Sequence, residues 1–158
     1  MIIKDVITTD FLNYKEPAMY VAFPYCTFKC EKECGIKCCQ NSDLARSPNR
    51  TISAERLVEI YGQNAAIDRA LVLCGLEPLD SFTDVLELIA KFREKFTDPV
   101  VIYTGYREDE CVQYVQDLQK YSNILVKFGR FIPGMAPHRD PILGVDLLGD
   151  QQYCKKIS

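Results

Sequence analysis

Apolar runs of about five residues recur along the chain, separated by segments whose apolar residues fall three and four apart. Met19-Tyr20-Val21-Ala22-Phe23, Ala70-Leu71-Val72-Leu73-Cys74, Val100-Val101-Ile102-Tyr103-Thr104 and Ile124-Leu125-Val126-Lys127-Phe128 are rich in β-forming residues. Each is closed by Pro24, Gly75, Gly105 or Gly129, so each reads as a buried strand. The intervening segments read as helices. One carries Leu57, Ile60 and Tyr61 behind the capping residue Ser53. A second carries Val85, Leu88, Ile89, Phe92 and Phe96 behind the Ser81–Asp84 pair, and a third runs from Glu108 to Lys120 with Val112, Val115 and Leu118 inward.

Strands that alternate with helices predict a parallel sheet, because a strand returns parallel to its neighbour only through a crossover. The expected fold is α/β: a single small domain, an open parallel sheet (a partial βα barrel) with crossover helices. Residues 1–17 form a lead-in with an edge strand at Ile2 to Ile7, and residues 19–130 form the βα core. Residues 131–158 form an irregular tail, in which Pro133, Gly134, Pro137 and Pro141 forbid long elements. In such sheets ligands bind beyond the carboxyl ends of the strands. The fold should therefore gather Cys26 to Cys39, Gly75 to Pro78, Thr104-Gly105 and Gly129-Arg130 on one rim, since each follows a strand.

The first of these segments carries the chemistry. Five of the eight cysteines, Cys26, Cys30, Cys34, Cys38 and Cys39, fall within it among Lys29, Lys32 and Lys37. Thiols so placed are not core residues; they are ligands or disulfide partners. The N-terminus lacks the build of a signal peptide and no apolar run is long enough to span a bilayer, which predicts a cytoplasmic protein without a membrane partner. In a reducing compartment, clustered cysteines favour metal or redox chemistry over structural disulfides. A net charge of −3 without a basic run offers no nucleic-acid footprint. Zinc fits the spacing poorly, because no second close pair matches the first. An iron–sulfur cluster accepts variable spacing, and one held by three thiolates leaves an iron open for chemistry.

Cys26-Thr27-Phe28-Lys29-Cys30, the later Cys39-Gln40-Asn41, Gly75-Leu76-Glu77-Pro78 and Val101-Ile102-Tyr103-Thr104-Gly105-Tyr106 together resemble the radical S-adenosylmethionine enzymes. Within them the chain most resembles the small activating proteins of anaerobic (class III) ribonucleotide reductase. The tail Phe128-Gly129-Arg130-Phe131, Asp140-Pro141-Ile142-Leu143 and Gly149-Asp150-Gln151-Gln152 is similar to that family's ending. The resemblance implies a 4Fe–4S cluster held by Cys26, Cys30 and Cys39, with Cys34 and Cys38 as rival third ligands. The family's common spacing would put the third ligand at Glu33, a residue unsuited to it. The resemblance also implies a cosubstrate, S-adenosylmethionine, contacted by Asn41, Gly75, Leu76, Glu77, Thr104 and Arg130. Leu76 stands where the family usually has a second glycine. The implied reaction is reductive cleavage of S-adenosylmethionine to a 5′-deoxyadenosyl radical, which takes hydrogen from a glycine of the partner reductase. An electron donor such as flavodoxin would supply the reductant, and no side chain is a catalyst in its own right.

Two other functions remain open at this point: a radical S-adenosylmethionine enzyme acting on another peptide or small molecule, and a non-enzymatic iron–sulfur or zinc module. Elsewhere, Cys74 reads as core, Cys111 and Cys154 as incidental, and His138 as an exposed loop residue. Tyr25 and Phe28 read as shielding for the thiols.

Overall fold

The four apolar runs form the centre of one six-stranded sheet in the computed structural model, which describes residues 1–158. In chain order the chain forms strands β1 (Ile2–Ile3), β2 (Asp5–Asp10) and β3 (Ala18–Phe23), then the short helices α1 (Lys29–Cys34) and α2 (Ser42–Arg46). There follow β4 (Arg50–Thr51), α3 (Ala54–Asn64), β5 (Leu71–Gly75), α4 (Phe82–Arg93), β6 (Val100–Tyr103), α5 (Val112–Leu118) and β7 (Ile124–Phe128). Three short strands end the chain, β8 (Pro137–Arg139), β9 (Asp146–Leu148) and β10 (Tyr153–Lys156). The sheet order is β10-β7-β6-β5-β3-β2. Its inner four strands are parallel, and the two edges, β2 and β10, are antiparallel. The result is an α/β domain around a mixed, mostly parallel sheet, and no helix is long and apolar enough to cross a membrane.

The pleat divides the strand residues by parity. Met19, Val21, Phe23, Leu71, Leu73, Val100, Ile102, Ile124, Val126 and Phe128 pack in one cluster with residues of α3, α4 and α5. Their alternate neighbours Ala18, Ala70, Val72, Val101 and Leu125 belong to a smaller cluster with Tyr14, Leu143, Leu147 and Cys154, which contains no helical residue. Strands covered on both faces are apolar at successive positions, hence the continuous runs. Helix α4 buries Val85, Leu88, Ile89 and Phe92. At about 1.5–3 kcal/mol for each buried side chain, packing outweighs helix propensity in holding it. The helices α3, α4 and α5 thus back one face of the sheet, and loops, the short α1 and α2 and the β8–β9 hairpin approach the other.

Three sequence expectations change. The lead-in strand is broken at Lys4, whose buried ammonium donates to the carbonyls of Ala45 (3.0 Å) and Ser47 (2.5 Å). β1 therefore pairs with β4, and β2 with β3. The helix expected over Glu108 to Lys120 is a 3-10 turn at Glu108–Glu110 followed by the shorter α5. Glu110 is held by Arg130 and by the Arg107 N–H, which fixes the turn, and Val112 is left 52% exposed. The tail is not wholly irregular. β10 pairs with β7, and Asp140 organises the hairpin by accepting from the N–H groups of Ile142, Leu143 and Cys154 at 2.8–2.9 Å.

Candidate functional site

The cysteine segment leaves the end of β3 through Pro24 and turns at Phe28, which takes a left-handed backbone (φ 52°, ψ 43°). The Phe28 N–H donates to Cys26 Sγ at 3.2 Å, and α1 then runs to Gly35, whose φ of 69° ends it. Neither α1 nor α2 has a buried residue, so no hydrophobic face holds the segment down. Polar straps do. Asp80 Oδ2 accepts from the Thr27 N–H (2.8 Å), and Lys29 Nζ lies 3.8 Å from the centre of the Tyr106 ring. Glu33 is paired with Arg107 and Arg130. Glu31 accepts from the Cys39 N–H (3.2 Å), and Asn41 Nδ2 donates to the Gly75 carbonyl (2.6 Å).

This arrangement roofs a cavity of about 680 Å³ on the face of the sheet away from α3, α4 and α5. Cys26, Cys30 and Cys39 line it, as does Cys74 on its floor; Cys34 and Cys38 do not. Cys34 instead lies against Cys38. No three of the chain's His, Cys, Asp or Glu side chains converge on a point that would hold a single metal ion. The three loop thiols border an open volume instead, as ligands to different irons of one cluster must, so the donor set fits a 4Fe–4S group. Burial pushes the Cys26 thiol up to about 12 against the pull of the Phe28 amide. Burial also raises Cys30, opposed by the Phe131 amide and the Lys127 and Arg130 cations. Gly105 lies beside both groups: a Cβ on it would be 3.5 Å from Glu77 Oε2 and 3.6 Å from Cys30 Sγ, ordinary contact distances.

The opposite wall is the segment after β5. Gly75 has φ 89°, and a Cβ there would sit 2.6 Å from the Phe23 backbone nitrogen, so this position requires glycine. Leu76 does not: the non-glycine residues with positive φ are Phe28 and Asn123, and the loop forms without rearrangement. Glu77 is 4% exposed and ties two strand ends together. Its Oε1 accepts from the Thr104 hydroxyl (2.8 Å) and the Leu79 N–H (3.1 Å), and its Oε2 from the Gly105 N–H (2.8 Å). Burial pushes its carboxyl up to about 7, against the pull of those donors. The Thr104 hydroxyl, which also accepts from the Tyr106 N–H (3.0 Å), is therefore committed within the protein.

Asn41, Gly75, Leu76, Glu77 and Thr104 thus all line the cavity; Arg130 does not. The expectation that Arg130 reaches a cosubstrate carboxylate is corrected by its partners. Its guanidinium is gripped bidentately by Glu110 (2.7 and 2.8 Å) and faces Glu33 Oε2 at 3.1 Å. Cys74, expected in the core, is on the cavity floor because its parity in β5 sends it to the face away from α3, α4 and α5.

Sequence reasoning missed Lys127. It is 6% exposed and lines the cavity, and its ammonium donates to the Gly129 carbonyl at 2.8 Å, leaving donor capacity toward the cavity. Burial lowers it to about 8. The signal was available: one lysine stands inside an otherwise apolar run, and register places it beside Tyr103, on the face that carries Cys74.

An α/β domain with a thiol-bearing segment folded over the carboxyl ends of parallel strands, three of its thiols around one cavity, is built to hold a polynuclear group. The chain belongs to the family described as the 4Fe-4S single cluster domain, whose model matches residues 18–144. That family is an iron–sulfur domain associated with radical S-adenosylmethionine proteins. No curated protein matches the chain.

Proposed function

We propose that this protein is a radical S-adenosylmethionine enzyme that generates a glycyl radical on an anaerobic ribonucleotide reductase, with Cys26, Cys30 and Cys39 as the cluster ligands. One observation carries the reading: these three thiols, and not Cys34 or Cys38, border the cavity that also contains the Gly75–Glu77 wall and Lys127. When bound, the cluster supplies an electron and an iron with an open position, through which S-adenosylmethionine is cleaved to methionine and a 5′-deoxyadenosyl radical.

The chain's own residues bind and orient. Lys127 presents a buried cation to the cosubstrate carboxylate, where low dielectric strengthens the pairing. Of the wall's carbonyls, Gly75's accepts from Asn41 and Glu77's from the Asp80 N–H, which leaves that of Leu76 for the cosubstrate amino group. Glu77 holds the wall against Thr104 and Gly105 rather than touching the ligand. The partner reading rests on the sequence resemblance, and a flavodoxin-type donor on the need for a low-potential electron.

Cys74 supports a second reading, because it lines the same cavity and could close the cluster as a fourth thiolate. Against this, its thiol is turned to Tyr20, with Lys127 and Glu77 near it. The test is anaerobic turnover of the iron- and sulfide-reconstituted protein with S-adenosylmethionine and reduced flavodoxin or dithionite, with and without the reductase. The proposal expects 5′-deoxyadenosine, and a glycyl-radical signal in electron paramagnetic resonance (EPR) when the reductase is present. 5′-Deoxyadenosine without that signal redirects the reading to another peptide or small molecule. A loaded cluster that yields no 5′-deoxyadenosine supports the closed site.

A further inference from the structure

Arg130 carries a second consequence. It is 6% exposed, and both carboxylates that meet it come from elsewhere in the fold: Glu110 from the turn before α5 and Glu33 from α1. Glu33 also pairs with Arg107, and the Arg107 backbone N–H donates to Glu110 Oε2 at 2.8 Å, so the four residues form one network that the Arg107 main chain closes. The network joins the cysteine helix to the end of β7. Its two ends are next to the thiols: Glu33 is three residues after Cys30 on α1, and the residue following Arg130 is Phe131, which lines the cavity with Cys30.

The end of α1 has no buried residue and no cavity thiol beyond Cys30. The Glu33 ion pairs are therefore what fasten it to the body.

We propose that Arg130, with Glu33 and Glu110, is a positioning clamp that sets the orientation of α1 and the electrostatic environment of the Cys30 sulfur. The inference rests on the proposed role of Cys30 as a cluster ligand. The bidentate grip explains why arginine stands there, since a lysine offers a point charge without the planar fork. Removal of Arg130 takes from Glu110 its ion-pair partner and leaves Glu33 with Arg107 alone. Hydrogen bonds and positive charge near cluster sulfurs raise a reduction potential, and negative charge lowers it.

The test compares wild type with Arg130→Gln, Arg130→Lys, Glu33→Gln and the control Arg46→Gln, which removes an exposed pair in the same segment. Hydrogen exchange on the metal-free proteins reads the clamp without any cluster. Amides of Lys32 and Gly35, which donate to Phe28 and Glu31 in α1, should exchange several-fold faster in Arg130→Gln and Glu33→Gln, and at the wild-type rate in Arg46→Gln. EPR-monitored redox titration of reconstituted protein should show a more negative potential for Arg130→Gln, largely restored in Arg130→Lys, whose α1 still exchanges faster. Unchanged α1 exchange in Arg130→Gln, or faster exchange spread evenly through the β5–β7 core, overturns the clamp; so does an unshifted potential. If wild type loads no cluster, the ligand reading fails separately, and the exchange data still decide the clamp.

Discussion

Glu77 closes the wall of the cavity with one carboxylate and three donors, and its chemistry makes it sensitive in two ways. An amide at this position cannot accept on both atoms, so Glu77→Gln turns an N–H toward a backbone N–H. The expected loss is about 1–3 kcal/mol of unfolding free energy, read by urea denaturation of the metal-free protein. The pH dependence follows from a carboxyl raised to about 7 from 4.5. The folded state holds this proton more tightly than the unfolded state, so the contribution is full below about pH 4.5 and falls as pH rises through 7. The fall is on the order of 3 kcal/mol. Wild type should therefore lose stability relative to Glu77→Gln between pH 5 and pH 8.

Lys127 makes the opposite trade. Its ammonium is buried at a cost that a neutral side chain of similar length avoids. Lys127→Met should leave the melting temperature of the metal-free protein unchanged or higher, while weakening S-adenosylmethionine binding about tenfold or more, as loss of a charge-assisted contact of about 1.5–3 kcal/mol implies. Equal affinity in calorimetry of the two loaded proteins would remove Lys127 from the site.

At the scale of elements, the helices that back the sheet and the segment that bears the thiols are held by different forces. α4 is fixed by packing: Phe92 is fully buried and its ring meets Tyr61 edge-on at 4.7 Å. Phe92→Ala should cost about 3–5 kcal/mol and lower the midpoint of global unfolding. The segment of α1 and α2, lacking buried residues, should instead open locally in the metal-free protein. Asp80 receives both the Thr27 N–H and the Tyr106 hydroxyl (2.6 Å). Asp80→Ala should raise protease cutting between residues 27 and 47 several-fold with a smaller shift in global melting than Phe92→Ala. Equal shifts would mean that the segment unfolds only with the whole domain.

This contrast also marks what was legible. The stripe Val85, Leu88, Ile89 and Phe92 announced α4 because its burial is on one face and its period is helical. α1 left no such trace, since Lys29–Cys34 has no apolar stripe and depends on Thr27, Lys29 and Glu33 meeting residues far along the chain. α5 was overextended because the stripe through Val112 ignored the pull of Arg130 on Glu110.

For the whole molecule, the alternation of strands and helices foretold a parallel core, and the rule that ligands gather at strand carboxyl ends brought Cys26, Gly75 and Thr104 together before any coordinates. What sequence did not carry was sidedness. Which face of the sheet α3, α4 and α5 leave open depends on pairing and pleat, and only that knowledge moves Cys74 from core to cavity floor, brings Lys127 to the cavity and turns Arg130 away from it. The antiparallel β10 edge was hidden for a similar reason: a four-residue strand with one buried residue has no apolar run.

Spacing alone left Cys34, Cys38 and Cys39 as rivals. In the fold only Cys39 of these lines the cavity, because Gly35 ends α1 just beyond Cys34 while Glu31 draws the Cys39 amide back toward it. The most direct test of the central claim is EPR spectroscopy of the reduced, reconstituted protein with and without S-adenosylmethionine, alongside iron content, in wild type, Cys39→Ala, Cys74→Ala and the double variant Cys34→Ala/Cys38→Ala. A three-thiol site with an open iron requires a full cluster in wild type, in Cys74→Ala and in the double variant, with a spectrum that S-adenosylmethionine alters, and loss of that cluster in Cys39→Ala. A cluster retained without Cys39 but lost without Cys34 and Cys38, or a wild-type spectrum indifferent to S-adenosylmethionine, would contradict it.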